Sequence, residues 1–385
     1  MFTSHVRTAL AGVLGGAVIA TVVWSQVPGG GAGAPPPEDY YLSSEQTIPV
    51  NGKGGSNIMG PYVRARDWPQ LPDGRKIDSG PAIYVESPDR VYVGTRGTRK
   101  PYPMQVGWQR QTVMKWFHLT ASDLDVQHNY ILDVFNREGK LIEHWKQYDD
   151  PAFLIKAVQR WHVNVNDPNH YNYITGSHII VLSHDGQKLV KDISPADVPT
   201  KPGQHAFSPE GIAFTKDGGF WVASHTRVIK FSKDFKYVSE FGSAGSAPNQ
   251  FLGIHDVIHD DVGHRFYICD QYAHRVVVYD DNGKLVDVWP NIISPSAIRM
   301  TRDRKYVWVG DIYAPRFYKF DLQGHMITSF GTWGMEDGAI SGIHDFDVDT
   351  EGNLYVANHD IQATEKFIPL KDGNPEQIIG PLLPR

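Results

Sequence analysis

Six stretches of this chain repeat one pattern, and no other feature restricts its folding so tightly. Each opens on an apolar run, turns through polar residues, and continues into a second run centred on an aromatic or bulky side chain. A third run, a D-x-x-G-K type turn and a short last run complete the unit. PEGIAFTKDGGFWVASHTRVIKFSKDFKYVSEFG (209–242) aligns with IHDVIHDDVGHRFYICDQYAHRVVVYDDNGKLVDVW (254–289), and PSAIRMTRDRKYVWVGDIYAPRFYKFDLQGHMITSFG (295–331) keeps the register. A fourth copy begins at Ile343 and a fifth, WHVNVNDPNHYNYITGSHIIVLSHDGQKLV, covers 161–190. The remaining copy starts as PAIYVESPDRVYVGTRG (81–97) and resumes at NYILDVFNREGKLIEHW (129–145).

Period-two alternation marks strands with one buried face. Four short runs per unit, with starts mostly 41–48 residues apart, predict an all-β chain: a six-bladed β-propeller with four antiparallel strands per blade. A β-sandwich leaves six near-equal units without a reason. Aromatics at 12%, with 37 Gly and 26 Pro, suit short strands and many turns. The spacing of 80 residues between the starts of the first two units places an insertion in blade one at about 98–128.

The predicted organisation is therefore a leader over 1–34, a Gly/Pro/Ser-rich arm over 35–67, and the propeller over 68–385. The leader carries seventeen uncharged residues, Thr8–Trp24, behind Arg7. That pattern reads as a secretory signal peptide or an uncleaved membrane anchor, hence a periplasmic or extracellular protein. Cys269 is the single cysteine, so no disulfide framework exists, and it reads as a small buried apolar residue. A net charge of −6 argues against a nucleic-acid partner.

GIHD occurs twice, at 253–256 and 342–345. Counting back eleven or twelve residues from the central residue of each second strand (Tyr92, Tyr173, Trp221, Tyr267, Trp308, Tyr355) gives a column: Pro81, His162, Glu210, His255, Ser296 and His344. Histidine falls in blades two, four and six. First strands lie nearest the axis of a propeller, so three imidazoles from alternate blades would converge there. That is a donor set for a metal with an open position. Glu210, in the same ring, would bind the metal or serve as a general base; read without function, it is a solvated strand-end carboxylate.

These motifs resemble a known family. The repeats look like NHL repeats, and the histidine column is similar to that of the peptidyl-α-hydroxyglycine α-amidating lyases. The resemblance covers roughly 65–370 through WPQLPDG (68–74), VYVGTRG (91–97), WHV (161–163) and the two IHD triplets. It implies a channel zinc held by His162, His255 and His344, with Arg96 receiving a substrate carboxylate and Asp345 tied to a structural calcium. The chain departs from the family where a catalytic Tyr is expected in blade three, which here reads ASHTR with His225. It departs again in blade four, where Gln271 replaces a second Arg. Tyr272 and Tyr313 occupy the matching turns of blades four and five and are candidates for the proton acceptor.

The expected function is an exported metal-dependent lyase acting on a small hydroxylated or carboxylated, peptide-derived substrate. Alternatives are a lactonase-like hydrolase and a non-catalytic propeller that docks protein or carbohydrate, for which Tyr102, Trp108 and Trp116 of the insertion would serve.

Overall fold

The computed structural model describes residues 60–100, 125–332, 339–340, 342–358 and 363–384. The leader, the body of the insertion and its Tyr102, Trp108 and Trp116 lie outside the described residues.

Six four-stranded antiparallel sheets form, one per repeat. Blade one comprises Ala82–Ser87, Arg90–Gly94, Leu132–Phe135 and Leu141–His144. Blades two to five each use four consecutive strands, beginning at Arg160–Val163, Pro209–Phe214, Ile254–Asp260 and Pro295–Met300. The first strand of each blade packs against the first strands of its neighbours, which closes the ring around a central axis.

Blade six is assembled from both ends of the repeat region. Ile343–Val348, Leu354–Asn358 and Ala363–Pro369 supply three strands, and Tyr62–Arg64 pairs antiparallel with the last as the fourth. The predicted arm over 35–67 thus overlaps the propeller, whose first strand starts at Tyr62 rather than after residue 68. Closure has a direct physical benefit, since it satisfies an edge that would otherwise present unpaired backbone groups. Tyr62 is buried against Phe330, and its hydroxyl accepts from the Ile379 N–H at 2.9 Å. Arg64 pairs with buried Glu365 at 2.8 Å.

Between blades the contacts are apolar and largely aromatic. Tyr173 meets Phe220 at 5.2 Å and Trp221 meets Phe266 at 5.0 Å, both edge to face. Such pairs add roughly 0.5–1.5 kcal/mol each beyond area burial. Cys269 is fully buried in one of these layers, as its sequence context suggests. Among the described residues no helix is long and apolar enough to cross a membrane.

Candidate functional site at the channel mouth

The strand registers decide which residues share a level on the axis. Opposite the central residue of each second strand lie Tyr84, His162, Ala213, Ile258, Arg299 and Asp347. His162 pairs directly with Tyr173, eleven residues away, whereas Ile258 and Tyr267 are nine apart and Asp347 and Tyr355 eight. The first hairpin of blade two is longer, through the NDPNH turn, and its ladder carries no register shift. Blades three to six each contain a bulge near the start of the first strand. The extra residue is His255, Ser296 and His344 in blades four to six, and one of Glu210 and Gly211 in blade three.

A constant count back therefore fails in blade two, and the level of His255 and His344 is reached there by Gln159. The mouth ring is Pro81, Gln159, Glu210, His255, Ser296 and His344. His162 stands three residues further along its strand, buried and edge-on to Phe214 at 6.5 Å.

Each ring histidine bonds to the next blade. Nδ1 of His344 donates to the Pro81 carbonyl at 2.8 Å, and Nδ1 of His255 lies 2.8 Å from the Ser296 carbonyl. The two rings meet edge to face with centroids 4.8 Å apart.

One level deeper the sequence alternates small and charged: Ala82, Arg160, Gly211, Asp256, Ala297, Asp345. The charged residues come from blades two, four and six and are at most 1% exposed. Arg160 lies 3.1 Å from Asp345 and 3.5 Å from Asp256. Its Nη2 also reaches the His344 carbonyl at 3.0 Å, the Ser296 carbonyl, and the His255 ring at 2.8 Å. Arg299 of blade five completes the cluster, donating to Asp256 at 2.6 Å and to Asp345. Two guanidiniums thus balance two carboxylates. Burial works against a charged Asp256, but Arg160 and Arg299 outweigh it and hold its pKa below the ordinary value.

The small residues of this level are as necessary as the charged ones. A Cβ on Gly211 would overlap the Asp256 carboxylate and backbone. Gly211→Ala is expected to cost about 1–3 kcal/mol by overpacking, read as a lower urea midpoint with an unchanged m-value.

Among the described residues no group of three or more His, Cys, Asp or Glu is placed to hold a metal ion. A guanidinium lies against His255, and the third imidazole, His162, stands three residues deeper along its strand. The residues as arranged do not fit a three-histidine zinc. Asp345 does not fit a calcium either, because its Oδ1 already meets Arg299, Arg160 and the Phe346 N–H.

Beside the ring, at the face where first strands begin, lies an open cavity of about 310 Å³. Arg96, Gln159, Ser177, Ser208 and Glu210 form its polar wall, with Ile155 and Val158 among the apolar lining. Arg96 follows the second strand of blade one and donates to the Gln159 Oε1, and Gln159 Nε2 reaches Glu210 at 3.4 Å. Val158, immediately before Gln159, is buried with φ of 75°. A β-branched residue in that region stores on the order of 1–3 kcal/mol, held here by packing that turns Gln159 and Arg160 toward the axis.

Glu210 is half-buried as a residue, but its Oε2 is shielded from solvent and has no hydrogen-bond partner among the described residues. Burial raises its pKa to about 7 against the opposing pull of Arg160, Gln159 and Arg96. Burial also lowers the pKa of Arg96. The predicted candidates Arg96 and Glu210 are therefore brought together. Tyr272 and Tyr313 lie on the same face but are 58% and 63% exposed and do not line the cavity. The Tyr272 ring lies against Gly253, which accounts for the glycine of the first GIHD. His225 occupies the turn of blade three with φ of 54° and stacks on His205 at 3.9 Å.

Gln159 and Arg160 escaped the sequence reading. The available signal was a positive charge inside an otherwise apolar strand start, shared by Arg160 and Arg299.

No family model and no curated protein matches the chain. Among solved structures it is similar to a streptogramin B lyase, with TM-score 0.49 and 11% identity over 76% of this chain and 93% of that one. A protein of unknown function from Bacteroides caccae gives TM-score 0.44 and 12% identity over 59% and 78%. A structural genomics protein of unknown function from Bacteroides thetaiotaomicron gives 0.50 and 12% over 76% and 70%. At such identities the last likeness speaks for the fold alone, and the chain is a six-bladed β-propeller.

Proposed function

We propose that this propeller is an enzyme of the lyase or hydrolase type that transfers a proton on a small anionic substrate in the mouth cavity. One observation carries the reading: a carboxyl group with a sealed, unpartnered oxygen shares a cavity wall with an arginine. Glu210 acts as general base, taking a proton from a substrate hydroxyl or a water and returning it to the leaving group. A base with a pKa near the working pH is the efficient choice. Arg96 holds the anionic group of the substrate through its planar fork, with Gln159 between the two. The lyase chemistry implied by the family resemblance belongs to this class, run here on Glu210 and Arg96.

A screen of α-hydroxy acids, α-hydroxyglycine peptides and lactones tests the reading. Within it, Arg96→Lys is expected to raise KM roughly 10- to 100-fold with kcat little changed, because an ammonium cannot reproduce paired donors. An unchanged KM for every carboxylated substrate turned over would remove Arg96 from the site.

The exposed rim of Leu252, Tyr272, Ile293 and Tyr313 favours a second reading, a docking face for a protein partner. Turnover by the purified chain alone separates the two.

A further inference from the structure

The level below the mouth ring holds a donor set of the kind that usually receives a cation. Carboxylates of Asp256 and Asp345, with the Ser296 and His344 carbonyls of the ring above, surround one point near the axis. Oxygen-rich sets of this sort suit hard divalent ions. The guanidinium of Arg160 stands at that point.

We propose that Arg160 is the resident axial cation of this propeller, taking the place of a metal ion, so that the axis is closed to metals by the chain's own residue. Three features carry this. Arg160 sits at the register level of Asp256 and Asp345, so the three come from alternate blades as three metal ligands would. It is fully buried, with a second guanidinium, Arg299, balancing the remaining carboxylate charge. Its donor geometry also accounts for the histidines. Nη2 has two hydrogens and the Ser296 and His344 carbonyls can only accept, so His255 keeps its own Nδ1 hydrogen for Ser296, as His344 does for Pro81. The rings then serve as ties between neighbouring blades. The small residues Ala82, Gly211 and Ala297 at this level leave the room that three converging charged chains need.

The axial charge is independent of the assignment of Glu210, since it is read from metal content and stability. Purified from cells without chelator, the full chain is expected to carry no stoichiometric zinc, calcium or manganese by elemental analysis. Its melting temperature is expected to be unmoved by EDTA or by added Zn²⁺, Ca²⁺ or Mn²⁺. Arg160→Ala should lower the melting temperature, and added Ca²⁺ or Mn²⁺ should restore part of the loss. Wild-type protein holding one metal per chain that disappears in His255→Ala overturns the proposal and restores the three-histidine reading. A folded Arg160→Ala variant indifferent to all three ions overturns it as well. Should that variant not fold, the metal content and chelator response of the wild type decide the matter alone.

Discussion

Glu210→Gln is expected to lower kcat roughly 10²- to 10⁴-fold, the contribution of a positioned acid–base group, while leaving the fold intact. The substitution keeps shape and the contact with Gln159 but removes the proton acceptor. In the wild type kcat/KM should rise with pH through a limb near 7, where Glu210 loses its proton, and that limb should vanish in the variant. Stability provides an independent check with a definite sign. The folded pKa is raised above the ordinary 4.5 to about 7, so the protonated form is favoured by folding. The glutamate contribution is fully present below 4.5 and is lost as pH rises through about 7. The melting temperature of the wild type relative to Glu210→Gln should therefore climb as pH falls across that window. A flat difference would show that folding does not desolvate the Glu210 carboxyl.

The largest stability effect is expected at the axial cluster. Asp345→Ala leaves Arg160 and Arg299 facing each other with only Asp256 between them, in a region at most 1% exposed. Removing one partner of a buried pair typically costs about 3–5 kcal/mol, because the remaining charge stays desolvated. Urea unfolding of the variant should show a loss of that order. The double variant Asp345→Ala/Arg299→Met should lose less than the sum of the two single changes, since it removes the stranded charge along with its partner. Strict additivity would mean that Asp345 and Arg299 do not interact across the axis.

The two GIHD copies now have a physical explanation. The glycine of the first admits the Tyr272 ring, and each histidine ties its blade to the carbonyl of the next. Each aspartate enters the axial charge cluster, and Asp256 also accepts the Ile298 N–H of the neighbouring blade at 3.0 Å. The repeated triplet is joinery between blades, with its charge directed at Arg160 and Arg299.

Blade number, strand order and nearly every strand of the ring were legible because period-two alternation and turn residues act locally. The same holds for Glu210 as a candidate, placed by its own repeat, whereas Arg96 was named only through the family resemblance. The closing strand Tyr62–Arg64 was not legible, since three residues carry no periodicity and their partner lies some 300 positions away. His162 was misplaced for a related reason. The longer first hairpin of blade two shifts its register by three, and that length does not show in the residue types.

The sequence by itself determined a ring of six four-stranded blades, because alternation, turns and repeat length are properties of short segments. Only the tertiary structure decided what meets on the axis. Convergence there depends on bulges and loop lengths summed over blades far apart in the chain, and on which charges can be neutralised once water is excluded. That competition seated Arg160, rather than a third imidazole, beside His255 and His344.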